Sequence, residues 1–116
     1  MAFAEIMPPN VVLDASVLVS AFLFPASVPG EALKAAEHGL YRLHLSSILI
    51  EEVRRSLHSP RLRRSYEVSD DALAAWLGIL RETASVVPDP LPDIGPVCRD
   101  PDDDHVLAAA IAARAE

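Results

Sequence analysis

The residues with the most chemistry to offer are acids at three separated places. Asp14 directly follows the short apolar run Asn10-Val11-Val12-Leu13, and Glu51 and Glu52 sit together further on. Asp100, Asp102, Asp103 and Asp104 then crowd around Pro101. Carboxylates brought together repel, and each makes ionisation of the next harder unless a cation neutralises them. Mg²⁺ or Mn²⁺ suits such a set, being a hard cation with oxygen ligands and several retained waters. An ion held there can activate water and steady a phosphoryl oxygen. Two ions about 4 Å apart can do both for an in-line displacement.

Each acid also has a structural reading. Asp100 before Pro101 has the form of a helix N-cap, with Asp103 three residues on, and acids in a first turn suit the helix dipole. Asp14 can cap the helix that follows it, although a carboxylate after a buried strand is costly unless something pairs with it. Glu51 and Glu52 are helical glutamates, and at least one of the two is expected to be solvated.

The elements that position these acids follow from the apolar pattern. Residues 1–9 read as a flexible leader ended by Pro8-Pro9, and residues 10–116 as a single domain. Asn10 to Leu13 reads as a strand buried on both faces. Ser16 is expected to cap a helix over Val17 to Phe24, and Pro29 and Gly39 bracket a second helix. Tyr41 to Leu45 alternates as a half-buried strand. Ser46 or Ser47 opens a helix carrying Ile50, Val53 and Leu57, ending before Pro60. Ser69 starts the clearest helix, with Leu73, Trp76, Leu77 and Leu80 at i, i+3, i+4 and i+7. Ser85 to Val87 reads as a third strand. After a proline-rich loop, Asp100-Pro101 opens a last helix that is apolar nearly all round. Strands alternating with helices predict an α/β fold with a parallel sheet, whose strand carboxyl ends lie along one ligand-binding edge. All three acidic positions are expected to face that edge.

Composition bounds the class. The chain has 116 residues, 51% apolar, which suits one ordinary folded domain rather than a disordered tail. One cysteine, Cys98, permits no internal bridge and favours a reducing, cytoplasmic setting. The longest apolar run, Val106 to Ala113, falls far short of the roughly 20 residues a membrane span requires. Glu5 and the lack of a basic residue near the start argue against a signal or transit peptide.

Other motifs fail. Asp100 to His105 superficially suggests a calcium loop, but the turn glycine is missing and the twelfth position is Ile111. No glycine-rich phosphate loop exists. His38, His44, His58 and His105 have no zinc spacing with one another or with Cys98, and read as surface or strand-face histidines. The serines lack a convincing histidine partner for a triad. Use of Asp14 as a phosphoryl acceptor is disfavoured because the residue two positions on is Ser16.

The stretches around the three acids resemble the PIN-domain family, in the branch of VapC-like toxin ribonucleases of toxin–antitoxin systems. Val11 to Ser20 is similar to the opening motif, Ser46 to Leu57 to the second, and Cys98 to Ala110 to the third. The resemblance implies a three-layer α/β/α domain around a parallel sheet, and a metal-dependent endoribonuclease neutralised by an antitoxin. It implies Mg²⁺ or Mn²⁺ held by Asp14, Glu52, Asp100 and Asp103. Asp14, Glu52 and Asp103 would be the catalytic acids, with Ser16 and Asp104 in support; spacing alone does not separate Asp103 from Asp104. Family members continue into a further strand and a fourth acid, so the domain reads as C-terminally shortened. A shortened domain is expected to pair into a homodimer or higher oligomer. It also leaves open an inactive module that binds an antitoxin or itself.

Net charge is −7, which argues against a general nucleic-acid coat. The charges are nonetheless segregated. Arg54, Arg55, Arg61, Arg63 and Arg64 form an acid-free basic run, and these five are candidates for RNA contact because arginine forks fit phosphate. The structural alternative is an ordinary solvated helix face.

Overall fold

A computed structural model describes residues 8–96 and 103–115. The described chain forms a parallel sheet of β1 (Asn10–Val12), β2 (Arg42–Leu45) and β3 (Ser85–Val86), in the order β1-β2-β3. Val11 pairs with Leu43, and His44 with Ser85. Between β1 and β2 run α1 (Ala15–Leu23) and α2 (Val28–Glu37). Between β2 and β3 run α3 (Ser47–Leu57), α4 (Pro60–Tyr66) and α5 (Asp70–Thr83), and α6 (Asp104–Ala113) follows. This is the α/β fold that the alternating pattern predicted.

The central strand organises the core. Leu43 and Leu45 lie on one face of β2 and are buried against Leu18, Leu33, Leu49, Val53, Leu57 and the α5 stripe. That stripe behaves as its spacing predicted, with Leu73, Leu77 and Leu80 buried and Trp76 packed at the margin, its ring 5.0 Å from Phe22. The strand order advances in one direction, so right-handed crossovers put α1 to α5 on one face. Ala108 and Ala109 of α6 are buried outside that cluster, and α6 packs on β1 and β2. It therefore covers the opposite face, which makes three layers. Side-chain caps start most of the helices: Ser27, Ser46, Ser59 and Ser69 each accept an amide hydrogen bond from the first turn.

Several local expectations are corrected. Asp14, not Ser16, caps α1, and the helix starts at Ala15. β1 is half-buried rather than buried on both faces, because it is an edge of the described sheet. Helix α4 has no counterpart in the sequence reading. Ser59-Pro60 could have revealed it, since serine at N-cap and proline at N1 together mark a helix start. The Asp100-Pro101 start proposed for α6, and residues 1–7 of the leader, lie outside the described residues.

The turn between α1 and α2 closes tightly onto Gly30 of α2. A Cβ there would lie 2.1 Å from the Pro25 carbonyl oxygen, on backbone that cannot rotate away. Gly30→Ala should therefore destabilise the domain by about 1–3 kcal/mol, the usual cost of overpacking. Urea denaturation checks this; an unchanged midpoint would mean that the α1–α2 turn is looser than described.

Candidate functional site

Asp14 stands where β1 hands over to α1. Its backbone is extended (φ −79°, ψ 170°), as an N-cap requires. Oδ1 accepts the Val17 amide at 3.0 Å and the Ser16 hydroxyl at 2.9 Å. Two donors on one oxygen fix the carboxylate, and no described residue bonds Oδ2. Ser16, expected to cap the helix, instead lies in its first turn and holds Asp14.

Asp103 is the N-cap of α6, but its backbone is helical (φ −88°, ψ −10°) and its side chain makes no capping bond. The carboxylate forms no hydrogen bond or ion pair with any described residue. Asp14 and Asp103 line one cavity of about 350 Å³, together with Val12, Val106, Leu107 and Ala110. Folding thus brings together two acids that are far apart in the chain, at the carboxyl end of β1. Asp104 is half-buried in the first turn of α6. Asp100 lies outside the described residues.

Glu52 does not line that cavity; it faces a separate recess of about 320 Å³, which it lines with Arg55 and Ser56. Its Oε1 lies 2.7 Å from Nε2 of His105, with side chains only 30% and 15% exposed. An ionised carboxylate only accepts, so Nε2 carries the hydrogen. His105 is therefore not a surface histidine: it ties the start of α6 to α3, and its Nδ1 is buried without a hydrogen-bond partner among the described residues. Sequence spacing could not pair it with Glu52, since the two meet only through tertiary packing. Among the described residues, no three His, Cys, Asp or Glu side chains gather around one point.

The neighbouring charges are largely spoken for. Exposed Glu51 receives Nε of Arg54 at 2.9 Å and a second bond from Nη2. The Arg54 hydrogen bond holds its carboxyl below the ordinary 4.5. Arg63 bonds to Asp70 and, at 2.6 Å, to Nδ1 of His58, and holds the Asp70 carboxyl down in the same way. A depressed carboxyl stabilises the fold above its unfolded value and loses that effect as pH falls. Both pairs are exposed, so the effect is small. Of the five candidate RNA-contact arginines, Arg54 and Arg63 are engaged with carboxylates. Arg55, Arg61 and Arg64 form no ion pair with a described residue.

Mg²⁺ commonly keeps most of its waters and needs only one or two carboxylates. The Asp14–Asp103 pair fits that requirement: hard oxygen donors on one cavity, neither committed to an arginine or lysine among the described residues.

An α/β domain with acids gathered at the carboxyl end of a parallel strand has the design of a hydrolytic or phosphoryl-transfer site. The family model described as PIN domain matches residues 10–116. The chain belongs to the PIN-domain family, whose members are generally nucleases that use divalent metal ions. No curated protein and no solved structure gives a significant match. Among the described residues, no single helix is long and apolar enough to cross a membrane.

The Glu52–His105 contact should be measurable as coupling. A double-mutant cycle with Glu52→Ala and His105→Ala should give about 1 kcal/mol or more, as for hydrogen bonds to charged groups. Additive effects on the denaturation midpoint would show that the two side chains do not meet.

Proposed function

We propose that the chain is a metal-dependent endoribonuclease, the toxin of a type II toxin–antitoxin pair, acting in the cytoplasm. The observation that carries this reading is the cavity shared by Asp14 and Asp103 in a PIN-domain chain. The toxin branch rests on the three motif stretches around Asp14, Glu52 and Asp103. Asp14 and Asp103 would hold Mg²⁺ or Mn²⁺, with Glu52 and Asp100 completing the set. Such an ion supplies water activation and charge neutralisation at the scissile phosphate.

The chain's own residues have distinct tasks. Ser16 and the Val17 amide orient Asp14 through Oδ1, which leaves Oδ2 for the cavity. Val12, Val106 and Leu107 give that cavity apolar walls beside two solvent-exposed carboxylates. His105 fixes Glu52 through one oxygen. Arg55 and Arg61 supply cations beside an otherwise acidic edge. A cognate antitoxin would cover this edge, and the chain would self-associate.

A second reading, an inactive PIN-like module that binds an antitoxin or itself, draws on the lack of a third convergent acid among the described residues. Manganese titration separates the two readings. The nuclease should bind Mn²⁺ and cleave single-stranded RNA, whereas the module should do neither.

Asp14→Asn and Asp103→Asn should each lower Mn²⁺-stimulated cleavage at least about 100-fold, comparable to losing a principal electrostatic contact. Glu51→Gln, which touches only Arg54, should cleave at the wild-type rate. Retained cleavage in Asp14→Asn would reject the assignment.

A further inference from the structure

A groove of about 710 Å³ separates α1 from the α3–α4 junction. Its polar rim is Ser16, Ser20, Ser56, Ser59 and Arg61, and Ala15, Val19 and Leu62 complete the lining. At one wall stands Ser16, whose hydroxyl is bonded to Asp14. At the other, Ser56 is shared with the recess that holds Glu52 and Arg55. The groove is therefore bounded by the two segments that carry site acids.

Its donor set is one-sided. Ser20 and Ser56 make no side-chain hydrogen bond to a described residue, and Ser59 accepts the Leu62 amide while keeping its own proton to give. Arg61 is exposed and has no ion partner among the described residues. Among the described residues no acid lines the groove, in a chain whose net charge is −7. Phosphate oxygens only accept, and hydroxyls beside a free guanidinium match them. Among the described residues no Asn, Gln or aromatic side chain lines it either, so its remaining donors suit phosphate better than any particular base.

We infer that this groove carries the backbone of a single-stranded nucleic acid toward Asp14. Arg61, Ser20, Ser56 and Ser59 hold successive phosphates, while Val19 and Leu62 meet sugars and base faces. The inference rests on the nuclease reading and adds the path and sequence tolerance of the substrate. Serine hydroxyls also accept, but with no carboxylate among the described lining residues the rim favours a chain of pure acceptors over the mixed donors and acceptors of a peptide strand.

The test is fluorescence anisotropy of a labelled uridine octanucleotide in EDTA, so that binding is read without cleavage, over a series of salt concentrations. Arg61→Ala should weaken binding several-fold and reduce the slope of log affinity against log salt by about 0.7, one phosphate on a single strand. Ser20→Val and Ser56→Val should each weaken binding about threefold or more. Arg61→Lys should keep the slope, and Arg81→Ala, on α5 outside the groove, should match the wild type. An adenosine octamer should show the same pattern. Arg61 is exposed, so its truncation leaves the core intact, and thermal melting confirms that each variant is folded. If the wild type binds and cleaves RNA while the groove variants bind normally, the groove assignment is overturned and the nuclease reading survives. If the wild type neither binds nor cleaves single-stranded RNA, both fall. If the groove variants lose binding to an oligoglutamate peptide but not to RNA, the groove belongs to a protein partner and the inference is overturned.

Discussion

Burial of β2 is the constraint from which the site follows. Leu43 and Leu45 are nearly inaccessible, and the strand is bonded on both edges, so its register with β1 is held throughout. A one-residue slip would turn both leucines out of the core. With that register held, the end of β1 is placed, and Asp14 with it. α6 must then cover the face that α1 to α5 leave open. Its amino end arrives beside β1, which is how Asp103 comes to share a cavity with Asp14. The acids meet as a consequence of packing apolar side chains, not through attraction for one another.

Electrostatics then decides which charges remain available. Among the described residues Asp14 and Asp103 have no arginine or lysine partner, whereas Glu51 and Asp70 are each taken by an arginine. Ion pairs at three and seven residues' separation consume Arg54 and Arg63 and leave Arg61 to face the groove beside α1. A chain with a strong excess of acid can in this way present a local surface that tolerates a polyanion. His105 belongs to the same logic. Its bond to Glu52 crosses between α3 and α6, and joins the two segments that bring acids from the second and third motifs.

Much of the fold was legible because its elements obey simple periodicities. The α5 stripe, the alternating Arg42-Leu43-His44-Leu45 and the caps at Ser46 and Ser69 behave as their spacing predicts. Asp14 was legible as a polar residue ending an apolar strand, and its capping of α1 was one of the readings open to it. Helix α4 was not seen, because Arg61, Leu62, Arg63 and Arg64 give no apolar stripe and none of its residues is buried. His105 was misjudged because a histidine's partner here lies on a different helix. The basic run looked uniform in sequence, yet its members differ according to which carboxylate folding sets beside each one.

Local chemistry in the chain was enough to establish which segments other than α4 are strands and helices, where several of them start, and which acids are candidates for a metal. Those properties depend on side-chain periodicity and short-range hydrogen bonding, which neighbours in sequence dictate. Which acids share a cavity, which arginines remain unpaired and where a substrate strand could lie were decided only by the tertiary structure. Such distances are set by how α1, α3 and α6 pack around β1 and β2, and contacts between remote segments leave no trace in local spacing.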